Sequence, residues 1–348
     1  MACLKPFIRP LALLWGADAR EAVDAGRAGM VAGGWTAYTQ AEVRWRDGTA
    51  RVLDYAALKN ACDLSRIESP RAPLAGIPLH QPRLMGIVNV TPDSFSDGGL
   101  HEDAMPAIAH GTALLAEGAH FVDVGGESTR PGSKEIALQE ELRRVIPVIA
   151  GLNRAGAIVS VDTRKAPVMM AAAEARAAII NDVSALQFDP GSLKIAAGLG
   201  LPDILMHSIG TPETMQNDPR YGDVALDVYD ALEARIDACI AAGIPRENLV
   251  VDPGIGFGKT SRHNLDLLQN LALFHGLGVP LLVGLSRKGF TGQLTGEPLP
   301  ANRVYGSVSG ALHCALRGAQ VLRVHDVKAT RQALAVAFAA VDPEAAGL

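Results

Sequence analysis

The sequence predicts a (β/α)8 barrel preceded by a short extension, and three observations carry that reading. From Arg83 onward, short apolar runs alternate with Ala- and Leu-rich stretches of helical period. Eight such alternations fill roughly 265 residues, close to the size typical of the closed barrel and less suited to an open doubly wound sheet. Polar groups stand at the C-terminal end of every run, where a barrel gathers its chemistry.

The strands are expected at 84–90, 120–124, 158–161, 178–180, 203–206, 249–251, 281–283 and 321–324. Helical patterns separate them at 105–117, 138–152, 167–177, 225–242 and 303–317, with apolar residues recurring on one face. Ahead of the barrel, residues 33–55 read as a hairpin, because apolar and polar positions partly alternate on either side of the turn signal Arg46-Asp47-Gly48-Thr49. Pro70, Pro73 and Pro78 then mark a linker. The chain is therefore divided into an extension, 1–80, and a barrel, 81–348. No chemical constellation falls in the extension, so it is expected to be dispensable for turnover.

Composition excludes several classes. The 348 residues are 48% hydrophobic and 5% aromatic with a formal charge of -5, which leaves no basic footprint for nucleic acid. No apolar run reaches the roughly 18 to 20 residues of a membrane helix, and 1–14 carries Lys5 and Arg9 without a convincing cleavage site. Cys3, Cys62, Cys239 and Cys314 are scattered without metal or redox spacing, so free thiols in the cytoplasm are expected.

The strand ends, in order, are Asn89, Asp123, Asp162, Asn181 with Asp182, Met206 with His207, Asp252, Gly284 leading to Ser286-Arg287-Lys288, and Arg323 with His325. One carboxylate in such a place is commonly a cap or a turn former. Eight converging positions are not explained that way. Asp162, Asn181 and Asp252 would offer acceptors and a two-faced amide to a planar heterocycle rich in N–H groups, and Lys288 would add a donor. Arg323, His325 and Asn89 suit phosphate oxygens, with a Mg²⁺ ion held by one side chain, the phosphates and water. The stretch D-P-G-I-G-F-G-K from Asp252 imitates a phosphate loop, but Pro253 stands where that motif needs glycine. Its glycines would instead let backbone approach a flat ligand, with Phe257 packing on the ligand's face.

The motifs N-V-T-P-D-S-F-S-D-G-G from Asn89, D-V-G-G-E-S-T-R-P-G from Asp123, S-V-D-T from Ser160, I-N-D-V from Ile180, the Asp252 stretch, S-R-K from Ser286 and R-V-H-D-V from Arg323 follow one another in a family order. In these the chain resembles the dihydropteroate synthases of the folate pathway over 83–340, and that family's fold is the same barrel. The resemblance implies condensation of a dihydropterin diphosphate with p-aminobenzoate, with sulfonamides as competitors. It assigns the pterin to Asp162, Asn181, Val183, Met206, Asp252, Phe257, Lys288 and Arg323. Pyrophosphate goes to Asn89, Thr129, Arg323 and His325, with Mg²⁺ on Asn89. The p-aminobenzoate site is framed by Phe95, Thr129, Arg130, Pro131 and Ser286, and the catalytic set is Asp162, Lys288, Arg323 and His325. A homodimer is also implied, through apolar helix faces at 303–317 and 329–340. Two departures, Ser208-Ile209 after His207 and Ile255 in place of a frequent Phe, affect the expected shape of one pocket wall.

Methyltransferases that bind methyltetrahydrofolate share a pterin pocket but expel no pyrophosphate, so the Thr129-Arg130-Pro131 and Ser286-Arg287-Lys288 elements weigh against them. An inactive pterin-binding paralogue would be expected to lack one of the site residues, and none is missing.

Overall fold

The computed structural model describes residues 5–90, 104–344 and 347. The extension forms an antiparallel sheet of β1 (Phe7–Trp15), β2 (Gly29–Met30), β3 (Thr36–Arg44) and β4 (Ala50–Asp54), with β3 in the middle. β3 and β4 make the expected hairpin, whose turn is closed by Trp45 N–H to Thr49 O at 3.0 Å with Gly48 at φ 86. β1 was not legible as a strand, yet it pairs with β3 from Phe7 opposite Arg44 to Trp15 opposite Thr36. Helices α1 (Gly16–Asp24), α2 (Tyr55–Ala61) and α3 (Ser65–Glu68) complete the unit around Tyr38, Tyr55, Leu58 and Ile67.

The barrel strands are β5 (Arg83–Asn89), β6 (Phe121–Gly125), β7 (Val159–Asp162), β8 (Ile179–Asp182), β9 (Asp203–Met206), β10 (Leu249–Asp252), β11 (Leu282–Val283) and β12 (Val321–Val324). Between and after them run α4 (Ala104–Glu117), α5 (Leu138–Arg154), α6 (Ala166–Glu174), α7 (Ser192–Leu199), α8 (Val224–Ala241), α9 (Ser261–Gln269), α10 (Gly289–Thr295), α11 (Val304–Ala315) and α12 (Val327–Val341). Pairing is parallel in the order β10-β9-β8-β7-β6-β5-β12-β11, and one bridge from Val251 to Leu281 closes the ring. Four of the expected strands, those at 120–124, 158–161, 178–180 and 249–251, extend a residue or two beyond the apolar run. That extension brings Asp162, Asn181, Asp182 and Asp252 into the strands themselves.

Alternation along each strand decides what faces the barrel axis. Met85, Phe121, Ile179, Ile204, Val250, Leu282 and Val321 form one apolar layer inside the barrel. Two residues further along the same faces come Ile87, Asp123, Asn181, Met206, Asp252, Gly284 and Arg323. The polar group is therefore a second layer stacked on an apolar floor. Residues of opposite parity, such as Val122, Val124, Val159, Val161, Leu205 and Val251, join the core between sheet and helices.

Leu74 and Leu79, from the proline-bearing segment, complete the floor from below at 2% and 3% exposure. A cut at residue 80 removes both. Leu79→Ala is expected to cost about 2–5 kcal/mol in urea unfolding; a loss below about 0.5 kcal/mol, typical of surface positions, would show that the segment is not a plug. The rest of the extension docks on the helices that follow. Trp15 and Trp35 donate their indole N–H groups to Leu316 O and Ala315 O, each at 2.8 Å, and Trp35 meets Phe338 edge to face. Lys5, Arg46 and Arg66 lie against Asp227, Asp230 and Glu233 of α8.

Candidate active site

Arg323, at the end of β12, is the hub of the polar layer. Its Nε donates to Asp123 Oδ2 at 2.6 Å and its Nη2 to Asp162 Oδ2 at 2.8 Å. Asn181 Nδ2 donates to the same Asp123 oxygen at 3.1 Å. Asp123 is fully buried and two carboxylates share one guanidinium, so burial, opposed by Arg323 and reinforced by Asp123, pushes Asp162 up to about 7. Asp182, beside Asn181 in sequence, faces the other way: it accepts from Ser184 N–H, Ser184 Oγ and Leu186 N–H and caps the turn. Of that strand-end pair only Asn181 points into the barrel.

The loop after β10 supplies the second wall. Asp252 Oδ1 accepts from Gly254 N–H at 2.7 Å, and among the described residues no side chain donates to this carboxylate; burial raises it above the ordinary range. Lys288 donates to Ile255 O, its ammonium 4.0 Å from the centre of the Phe257 ring, and burial depresses it to about 7. Here the glycines serve the protein itself. A Cβ on Gly254 would sit 1.9 Å from His207 O, and one on Gly256 would sit 2.7 Å from Lys288 Cδ. Both residues are also at positive φ, 69 and 83. Met206 is paired with Asp252 across the ladder and buried, as are Val183 and Ile255.

Lys259 ends the stretch that imitates a phosphate loop. It is buried and donates to Phe257 O at 2.9 Å and His207 O at 3.3 Å, and it lies 3.0 Å from His207 Nδ1. Burial and the neighbouring ammonium push His207 down to about 3, so its Nδ1 is an acceptor. Lys259 thus ties the loop after β9 to the loop after β10.

A third group is cationic. Ser286 Oγ accepts from His325 N–H at 3.2 Å and lies 3.1 Å from His325 Nδ1. Burial pushes His325 down to about 3, and the charges of Arg287, Arg323 and Arg130 push in the same direction. Asp326 opposes that push and is itself paired with the Arg287 guanidinium, so the imidazole lies among charges of both signs. Arg287 is left-handed at φ 59 and held at both ends of its backbone, its N–H donating to Ser307 Oγ at 2.8 Å and its carbonyl accepting from Arg303 at 3.0 Å. This turn sends Ser286 toward His325 and Lys288 toward Phe257.

Asn89 ends β5 exposed, opposite Gly125 in the ladder. Thr129 is half-buried, Arg130 and Pro131 are exposed, and all three ride on the loop after β6. Phe95 lies outside the described residues. The structure thus brings together Asp162, Asn181, Asp252, Lys288, Phe257, Met206 and Arg323, and sets Ser286, His325 and Arg130 beside them. Asp123, Arg287 and Lys259 were not singled out as site residues. The signal for Asp123 was present, since it stands two positions after Phe121 and so shares its inward face.

Residues 85–325 match the pterin binding enzyme family. Dihydropteroate synthase from Escherichia coli (strain K12) is 48% identical over 259 residues, which span 74% of this chain and 91% of that protein. A solved structure of Xanthomonas albilineans dihydropteroate synthase with 4-aminobenzoic acid is similar at TM-score 0.73 and 51% identity, covering 78% of this chain and 98% of that one. A second structure of the Xanthomonas enzyme, in complex with 7,8-dihydropteroate, gives a TM-score of 0.70 at 49% identity. With its carboxylate-lined barrel and the cationic group beside it, the chain belongs to the dihydropteroate synthase family of pterin-binding enzymes.

Proposed function

We propose that this chain condenses 6-hydroxymethyl-7,8-dihydropterin diphosphate with p-aminobenzoate, giving 7,8-dihydropteroate and pyrophosphate, a transferase step of folate biosynthesis. The observation that carries it is the arrangement about Arg323: acceptors Asp162 and Asp252 on one side, and the hydrogen-bonded pair Ser286 and His325 on the other. The relatives solved with 4-aminobenzoic acid and with 7,8-dihydropteroate support the same pair of substrates.

In this reading the amino and ring N–H groups of the pterin donate to Asp252 and Asp162, while Asn181 and Lys288 complete its edge. Met206, Val183 and Phe257 pack on its faces. The methylene C–O bond breaks with its electron pair leaving on pyrophosphate, whose charge Arg323, His325 and Thr129 receive. The positive charge left on the pterin is delocalised over the ring, facing Asp162 and Asp252. The arylamine nitrogen then forms the C–N bond and gives a proton to water. Thr129, Arg130, Pro131 and Ser286 frame that amine, and no protein nucleophile is used.

Mg²⁺ fits this arrangement only as an ion carried largely by the substrate. Asn89 offers one amide oxygen, and no group of three or more His, Cys, Asp or Glu side chains among the described residues could hold a metal. Magnesium keeps much of its water and binds through few side chains plus phosphates, and when bound it would neutralise charge on the leaving group. The test is pyrophosphate release and 7,8-dihydropteroate formation by the full chain, with and without p-aminobenzoate and with and without Mg²⁺. Failure to form the pteroate product with both substrates and Mg²⁺ present would overturn the reading.

A cytoplasmic homodimer is also proposed. No helix among the described residues is long and apolar enough to cross a membrane, and Cys62, Cys239 and Cys314 are free thiols. The extension covers the end of α11, but Leu294, Leu299 and Tyr305, on α10, the following turn and the start of α11, remain 59%, 60% and 88% exposed. Light scattering is expected to give a dimer at micromolar concentration, and a monomer would overturn it.

A further inference from the structure

We infer that Glu127 is a positioning residue for the arylamine: it clamps the base of the loop that carries Thr129, Arg130 and Pro131. The inference rests on the reading above, in which those three residues frame the amine.

The loop after β6 has no apolar anchor, for none of residues 128–137 is buried. What fixes it is polar. The Glu127 side chain is 7% exposed. Its Oε1 accepts from Arg164 Nε at 3.1 Å and also from Nη2. Its Oε2 accepts from Lys165 Nζ at 2.9 Å and from Ile136 N–H at 3.1 Å. Lys165 Nζ donates in turn to Ile136 O at 2.7 Å and to Glu141 Oε2 at 2.8 Å. Ile136 is therefore held at both its N–H and its carbonyl, so the span from Glu127 to Ile136 is closed at its base.

Above the clamp the loop is folded on itself. Ser128 and Ser133 share a hydrogen bond of 2.8 Å, Ser133 N–H donates to Arg130 O at 3.0 Å, and Gly132 N–H donates to Pro212 O at 2.9 Å. Arg164 and Lys165 follow Asp162 by two and three residues. The clamp thus ties the amine-framing loop to the strand whose last residue pairs with Arg323. Such a device sets the distance between the two substrates' sites, and a loop displaced by about an ångström costs far more in reaction than in folding.

Glu127→Gln replaces one acceptor oxygen by an NH₂ that meets only donors. Glu127→Asp keeps the charge beside Arg164 and Lys165, which preserves the fold, but falls one methylene short of Ile136. Steady-state kinetics of the full chain should show the KM for p-aminobenzoate raised at least about tenfold in the glutamine variant and by less in the aspartate variant. Calorimetry with the hydroxymethyl-dihydropterin, which lacks the diphosphate, should show affinity within twofold of wild type, since no residue that lines the pterin ring lies on the clamped loop. A KM for p-aminobenzoate within twofold of wild type in both variants overturns the inference while the condensation reading stands. So does an equal loss of pterin affinity, which would mark Glu127 as structural only. A wild-type chain that forms no pteroate product overturns the reading and the inference together.

Discussion

With Arg323 replaced by methionine, turnover is expected to fall about 10³-fold and unfolding free energy by about 3 kcal/mol. The two losses have different causes. Arg323 is the cation that both Asp123, fully buried, and Asp162 lean on at 2.6 and 2.8 Å. Removing one member of a buried ionic group leaves its partners uncompensated. Turnover falls for a further reason: protonated Asp162 no longer faces a developing pterin cation with a charge. The double variant Arg323→Met with Asp123→Asn separates the effects. Stability should partly return, because a buried charge has gone, while turnover stays low. Urea unfolding and pyrophosphate release on the same preparations check both, and a single variant turning over within tenfold of wild type would remove Arg323 from the chemistry.

Asp252→Ala is expected to weaken pterin binding by roughly 10² to 10⁴-fold, and Asp252→Asn by about ten- to a hundredfold. Each charge-assisted hydrogen bond from a ring N–H is worth about 1.5–3 kcal/mol, and tenfold in affinity is about 1.4 kcal/mol. Alanine loses both acceptors and also the 2.7 Å bond that holds Gly254 N–H. Asparagine keeps one oxygen, which can serve Gly254 or the ligand. Calorimetry with the pterin diphosphate alone, before any amine is added, reads binding apart from reaction. Three matching affinities would place Asp252 outside the pocket.

Much of the barrel was legible because its strands are short and buried on both faces, so each reads as an apolar run that ends in a polar residue. Those polar ends singled out Asp162, Asn181 and Asp252, and parity with Phe121 could have added Asp123. Asn181 and Asp182 were harder: they are neighbours of like polarity, and only the register of the strand says which looks inward. The extension's β1 carries no clear alternation and becomes a strand because β3 lies beside it.

By itself the sequence determined the count and order of the strands and the residue types at their ends, since those follow from local periodicity. The tertiary structure decided which of these groups meet. Arg323 reaches Asp162 across 161 positions and Asp123 across 200, and Lys259 reaches His207 across 52. Those distances in sequence are bridged because β12 pairs with β5, and so stands two strands from β6 and three from β7, and because β9 pairs with β10. The physical reason is that periodicity fixes the direction of a side chain relative to its own strand, whereas a hydrogen bond between strands depends on the curvature and stagger of the whole barrel.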